Sequence, residues 1–238
     1  MSEWAPRRFY KDALVEQTAT GWTVHLDGRK LMTPGKSPLI VPTPTLADAI
    51  AAEWQAQDEK IDPGTMPFTR TANSALEKVA PQRLEVAGML AEYGDSDLLC
   101  YRAEHPEDLV LRQAEGWDPM LEWADVALGA RLLPRQGIMH VPQSNDALAV
   151  LLARTQELDS FQLAAFHDLV ALTGSLILGF AATDDAHSVD ELWALSRIDE
   201  TFQAERWGED EEAQEAAEIK RMAFLHAHRF FALCDPAH

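Results

Sequence analysis

Trp22-Thr23-Val24-His25-Leu26-Asp27-Gly28-Arg29-Lys30-Leu31 has the pattern of a β-hairpin. Trp22, Val24 and Leu26 alternate with Thr23 and His25, the period of a half-buried strand. Asp27-Gly28 then supplies a two-residue type I′ turn, in which both residues need positive φ. Pairing across that turn sets Leu26 opposite Arg29 and Val24 opposite Leu31, which places apolar groups on one face. Working outward, Ala13 to Thr18 reads as a second strand and Leu39 to Val41 as a further short one between Pro38 and Pro42. A helix follows, for which Thr45 is the expected cap with Asp48 three residues on. Its stripe is Leu46, Ile50 and Trp54, spaced four apart, so Trp54 is expected in the core. Asp62-Pro63-Gly64-Thr65 reads as a turn.

Proline placement divides the rest. Seven of the 13 prolines lie from Pro6 to Pro67, and none lies between Pro142 and Pro236. Proline breaks helix and central strand alike, so the early region must be short pieces while the late one is free to form long helices. Helical segments are predicted around 68–79, 81–92, 106–115 and 118–128, the last opening at Trp117-Asp118-Pro119 with Asp118 as cap and Pro119 at the first helical position. Residues 131–141 read as a loop or a stray extended piece. Three strong helices come next: Ser144 to Glu157; Asp159 to Ala182, apolar nearly all round and therefore central; and one begun by the capping box Ser188-x-x-Glu191 that runs to Trp207, with Gly208 as a left-handed stop. Gly174, Ser175 and Gly179 read as close-packing residues. A last helix spans about Asp210 to Leu233. The expected fold is α+β: a small β-rich N-terminal domain with one helix over residues 1–66, followed by a larger all-helical domain over residues 67–238.

Charge and motifs exclude more than they assign. The chain has 39 acidic and 20 basic residues, a formal charge of −19, so its field repels polyanions and nucleic acid is not an expected partner. The longest apolar stretch, Leu169 to Ala182, is shorter than the roughly 20 residues of a membrane span, so no membrane insertion is expected. Cys100 and Cys234 form no CxxC pattern, which excludes a zinc ribbon or a disulfide scaffold and suits a reducing compartment. Gly174 and Gly179 have the spacing of a phosphate loop, but Phe180 and Ala181 stand where Lys and Ser/Thr are needed. His226 and His228 lie on different helix faces, and no HExxH spacing occurs. His167-Asp168 suggests a polarised imidazole, yet adjacent helical residues are expected to point apart. No catalytic residue, metal ligand or cofactor site is assigned, and no small-molecule substrate is expected.

The distinctive local feature is the run from Asp199 to Glu218, which carries nine acids and a single base, Arg206. Such a run is either a solvated face with favourable helix N-terminal charge or an interaction surface, because acids beside a large aromatic give both steering and an anchor. The candidate partner-binding residues are Asp199, Glu200, Gln203, Glu205, Trp207 and Glu209. Trp207 is either the anchor or a core plug, and burial is the favoured expectation for so large an apolar group.

Taken in order, the chain carries Arg8-Phe9-Tyr10, Leu26-Asp27-Gly28-Arg29 with Thr33-Pro34, Glu53-Trp54-x-x-Gln57, Met66-Pro67-Phe68-Thr69, Tyr93, Asp97-Leu98, Tyr101-Arg102, Trp117-Asp118-Pro119, Leu172-Thr173-Gly174-Ser175 and Asp199-Glu200-x-Phe202-Gln203-x-Glu205-x-Trp207-Gly208. This colinear set resembles the ATP-twelve chaperone family, which assembles the F-one sector of ATP synthase. The resemblance implies a non-enzymatic chaperone that holds the unassembled alpha subunit, prevents its aggregation and hands it to the beta subunit. It also implies a β-rich N-terminal domain before a helical one. The resemblance also implies that eukaryotic members carry a presequence for the mitochondrial matrix; none is visible here, so the bacterial cytoplasm is the expected location, with a processed matrix form as the alternative. The alternative from another class is a metal-dependent acidic hydrolase or lyase with a carboxylate site between the two domains.

Overall fold

The turn at Asp27-Gly28 closes as its residues demand. Asp27 has φ 48° and Gly28 φ 80°, Leu26 pairs Arg29, and the Leu31 N–H donates to the Val24 carbonyl at 2.8 Å. The computed structural model describes residues 7–137, 139–184, 186–208 and 210–236. Among these, the strands are β1 (Ala13–Thr18), β2 (Gly21–Leu26), β3 (Arg29–Lys30), β4 (Ile40–Val41), β5 (Tyr101–Arg102) and β6 (Arg135–Gln136). The α-helices are α1 (Pro44–Gln55), α2 (Pro67–Ser74), α3 (Arg83–Ala91), α4 (Glu107–Trp123), α5 (Asn145–Glu157), α6 (Ser160–Thr173), α7 (Leu176–Ala181), α8 (Val189–Ser196), α9 (Ile198–Trp207) and α10 (Glu211–Leu233). The expected α+β class holds: a small N-terminal sheet region precedes a mostly helical remainder.

Two compact units are present. The first takes in residues 7–83, 159–165 and 229–236. Its sheet runs β1-β2-β3, all antiparallel, with β4 also on β2 through Trp22 opposite Val41. Val24, Leu26, Leu31, Leu39 and Val41 are buried on one side and meet Leu46, Ala47 and Ile50 of α1. Thr23 departs from the alternation. It is buried as well, because its hydroxyl donates to the Leu39 carbonyl at 2.6 Å. Phe68 stacks on Phe230 at 6.1 Å between centroids, which closes this core. The cap of α1 is Thr43 and not Thr45: Pro44 occupies the first helical position, and the Thr43 hydroxyl oxygen accepts from the Leu46 N–H at 3.2 Å.

The second unit comprises the described residues of 84–158 and 166–228. Trp117, Phe166, Phe224, Leu90, Leu99 and Leu151 are its fully buried side chains of largest size. It is not all-helical: β5 and β6 form a two-residue parallel pair, Tyr101 opposite Arg135. The break expected at Trp117-Asp118-Pro119 does not occur, and α4 runs through it. Gly116 is there for space, since a Cβ would meet Ile198 Cδ1 at 2.7 Å and Leu195 Cδ2 at 2.9 Å. Asp118 does not cap; it pairs with Arg102 at 2.8 Å. The single helix expected over 159–182 is two. Gly174 at φ 69° stops α6, and the Ser175 hydroxyl caps α7 by accepting from the Leu178 N–H at 3.0 Å. Gly179 is the true close-packing residue, for its Cβ would lie 2.6 Å from Val170 Cγ2. The helix expected from 188 to 207 also divides, at Arg197 with φ −111° and ψ 13°, and Ser188 makes no side-chain capping bond.

Candidate docking groove

The groove is built by α9, its flanks and the start of α10. Ile198 and Phe202 are the buried residues of α9. Phe202 is gripped by the guanidinium groups of Arg112 and Arg206, 5.5 and 5.3 Å from its ring centre. Gln113 of α4, itself buried, donates its side-chain amide to Asp199 at 2.6 Å. Arg112 holds Glu205 in a two-pronged contact of 3.0 and 2.8 Å. That bond keeps the Glu205 carboxyl below the usual glutamate range and raises Arg112 in return. Asp199 and Glu205 therefore orient α9 on α4.

The opposite side of α9 faces outward. Trp207 is 77% exposed, which overturns the expectation of a core plug. Gly208 ends the helix with φ 95° and ψ 157°, outside the left-handed helical well. Glu200 is exposed and pairs with Arg197 at 2.8 Å. Asp210 begins the next helix by accepting from the N–H groups of Glu212 and Ala213, at 2.9 and 3.3 Å. Residues 211–216 of α10 are all exposed. Arg221 ties the helix to Asp190 of α8 at 2.7 Å and also pairs with Glu218 of its own helix at 3.2 Å.

Between these surfaces runs an open groove of about 660 Å³. Glu200, Gln203 and Trp207 line it from α9, with Asp210, Ala213, Ala217 and Glu218 from the α10 side. Of the six residues singled out in the sequence, the structure thus brings Glu200, Gln203 and Trp207 together. It turns Asp199 and Glu205 toward α4, and Glu209 lies outside the described residues. Sequence reasoning missed Arg197 and the alanines Ala194, Ala204, Ala213 and Ala217. The available signal was the run of alanines among acids after Asp210, small groups on a helix with few large apolar residues to bury.

Chemistry elsewhere is sparse. Cys100 and Cys234 are free and buried. Burial pushes the Cys100 thiol up to about 12 and raises Cys234 too, which leaves both protonated and unreactive at neutral pH. Among the described residues no three His, Cys, Asp or Glu side chains converge to hold a metal ion. His167 and Asp168 do meet, at 3.0 Å, contrary to the expectation from their adjacency, and the bond raises the imidazole.

A family described as ATP12 chaperone protein matches residues 7–125. The crystal structure of Atp12 from Paracoccus denitrificans superposes with a TM-score of 0.94 at 52% identity, over 96% of this chain and 98% of that one. A mutant of the same Paracoccus protein superposes equally well. The chain belongs to the ATP12 chaperone family. The mitochondrial protein atp12 of Schizosaccharomyces pombe is a more distant relative, 27% identical over 221 residues, which cover 88% of this chain and 76% of that protein. Like the ATP12 family, this chain is an assembly chaperone for ATP synthase. The hydrolase or lyase alternative finds no support. Several residues of the colinear set quoted from the sequence make structural contacts. Arg8 donates to the carbonyls of Tyr10, Gln55, Gln57 and Lys11. Gln57 braces the Asp62 turn, and Arg102 stacks on Trp117 at 5.3 Å. Among the described residues, no helix is long and apolar enough to cross a membrane.

Proposed function

We propose that this chaperone holds the unassembled alpha subunit of the F-one sector in the α9–α10 groove until the beta subunit displaces it, and that it does so without catalysis, in the bacterial cytoplasm. A ring subunit exposes apolar interface before assembly, and that surface is an aggregation hazard. A partner that covers it keeps the subunit soluble by mass action. The partner must later yield, so its surface works best as one anchor within a polar rim, where charge raises the encounter rate without a dry, permanent interface. The single observation that carries this reading is Trp207, a large aromatic held open beside Glu200, Gln203 and the acidic start of α10. Asp199 and Glu205 act behind it, by fixing α9 on α4.

Co-purification with isolated alpha subunit tests the reading. The wild-type chain retains alpha subunit, added beta subunit releases it, and Glu200→Lys abolishes retention. Retention by Glu200→Lys together with Trp207→Ala removes the groove from consideration.

A further inference from the structure

The walls of the groove constrain the shape of what enters it, and this inference rests on the docking reading above. They come from α8, α9 and α10, with Arg197, Gly208 and Asp210 lining it beside the helix ends. Backbone N–H and C=O groups inside a helix are already paired, and none of the described lining residues lies on a strand. An extended segment would therefore lay unpaired backbone polar groups against alanine methyls, with Thr201, Gln203 and Gln214 as the amide and hydroxyl side chains in reach. A helix brings its own hydrogen bonds. The alanines lining both sides also leave shallow holes, which suit the side-chain ridges of a third helix.

Charge selects among helices. Among the described lining residues, Glu200, Asp210 and Glu218 stand with the guanidinium of Arg197, which pairs with Glu200, while Arg221 pairs with Glu218 from outside the lining. A second copy of this chain, itself at −19, is repelled, whereas a lysine- or arginine-bearing helix is attracted. The exposed Trp207 ring offers such a side chain a cation–π face as well as apolar contact. We propose that the α9–α10 groove takes a basic amphipathic helix of the client, laid with its apolar stripe on the alanines and a cationic side chain over Trp207. This is the helix-in-groove mode of recognition, with the anchor supplied by the receptor.

Three fluorescein-labelled peptides of one length test this by anisotropy. The first is a leucine–alanine–lysine amphipathic helix, the second carries two central prolines at the same composition, and the third has glutamate for every lysine. The helical basic peptide is expected to bind at least tenfold tighter than either of the others. Trp207→Ala and the groove-filling Ala217→Trp should each weaken it at least tenfold, with far-ultraviolet circular dichroism unchanged. Equal binding of the proline peptide, or unchanged binding in both variants, overturns the helix proposal. So does a wild-type dimer in sedimentation velocity that Trp207→Ala dissociates, because the occupant is then a second copy. Alpha-subunit retention is measured in parallel. If both variants lose alpha subunit while the proline peptide binds as well as the helical one, the helix is refuted and the docking reading stands. If both variants keep alpha subunit, the docking reading itself fails.

Discussion

The Glu53 carboxylate accepts both the backbone N–H and the hydroxyl of Thr69, at 2.8 and 2.7 Å, and also the N–H of Phe68 at 2.6 Å. A side chain near the end of α1 is thus the N-terminal cap of α2, which has no capping bond of its own from Met66. This contact explains why Glu53-Trp54-x-x-Gln57 and Met66-Pro67-Phe68-Thr69 occur together in one chain.

Removing that cap should be felt as lost stability. Glu53→Ala leaves the partly buried Phe68 and Thr69 donors without an acceptor, so a loss of about 2–3 kcal/mol is expected in urea unfolding. Glu53→Gln keeps one carbonyl oxygen and should lose clearly less. Equal stability of Glu53→Ala and wild type would refute the capping role.

Asp97 makes stability depend on pH. It is fully buried, accepts from the Leu99 and Ile177 N–H groups at 3.0 and 3.1 Å, and also bonds Ser175. Burial outweighs these bonds and pushes the carboxyl up to about 6. The native state therefore binds more protons than the unfolded state between roughly pH 4 and 6. The stabilising contribution is full below about pH 4 and is lost as pH rises through 6, a change on the order of 3 kcal/mol. Asp97→Asn should be less stable at every pH, because its amide faces N–H donors, and its deficit against wild type should shrink from pH 4.5 to 6.5. A deficit that grows over that interval contradicts the assignment.

Gly179→Ala probes the contact of α7 with α6. The new methyl would sit 2.6 Å from Val170 Cγ2 and 3.4 Å from a Phe166 ring carbon. Valine in a helix has little rotamer freedom, so the backbones must part. A loss of about 1–3 kcal/mol is expected from thermal melts, although alanine is the better helix former. Gly88→Ala, where the same methyl meets nothing within 4 Å, is the control and should be neutral or stabilising. Equal effects of the two substitutions would contradict the packing argument.

The readable features were those with local causes. The Asp27-Gly28 turn and its register follow from two residues with positive φ and one apolar face, and β1, β4 and the turn after Asp62 were likewise visible. Helix breaks were legible only where composition changed. Gly174-Ser175 sits inside an apolar stretch whose periodicity continues across it, so the stop and cap are hidden until Asp97 and Leu98 are seen to hold the joint. Gly116 and Pro119 carry breaker signals that packing against Leu195 and Ile198 overrides. That residues after 228 belong with the early strands depends on the Phe68–Phe230 stack, which no local pattern announces. The site was half visible. The acids and Trp207 stand out in the sequence, but which acids face α4 and which face the groove depends on Arg112 and Gln113, some 90 residues away.

With Trp207 proposed as the client anchor, the most direct measurement is retention of isolated alpha subunit by immobilised Trp207→Ala, with the thermal midpoint recorded on the same preparation. The indole is 77% exposed, so the variant should melt with wild type. An unchanged midpoint with alpha-subunit retention lost is expected. Full retention by a folded Trp207→Ala protein would contradict it.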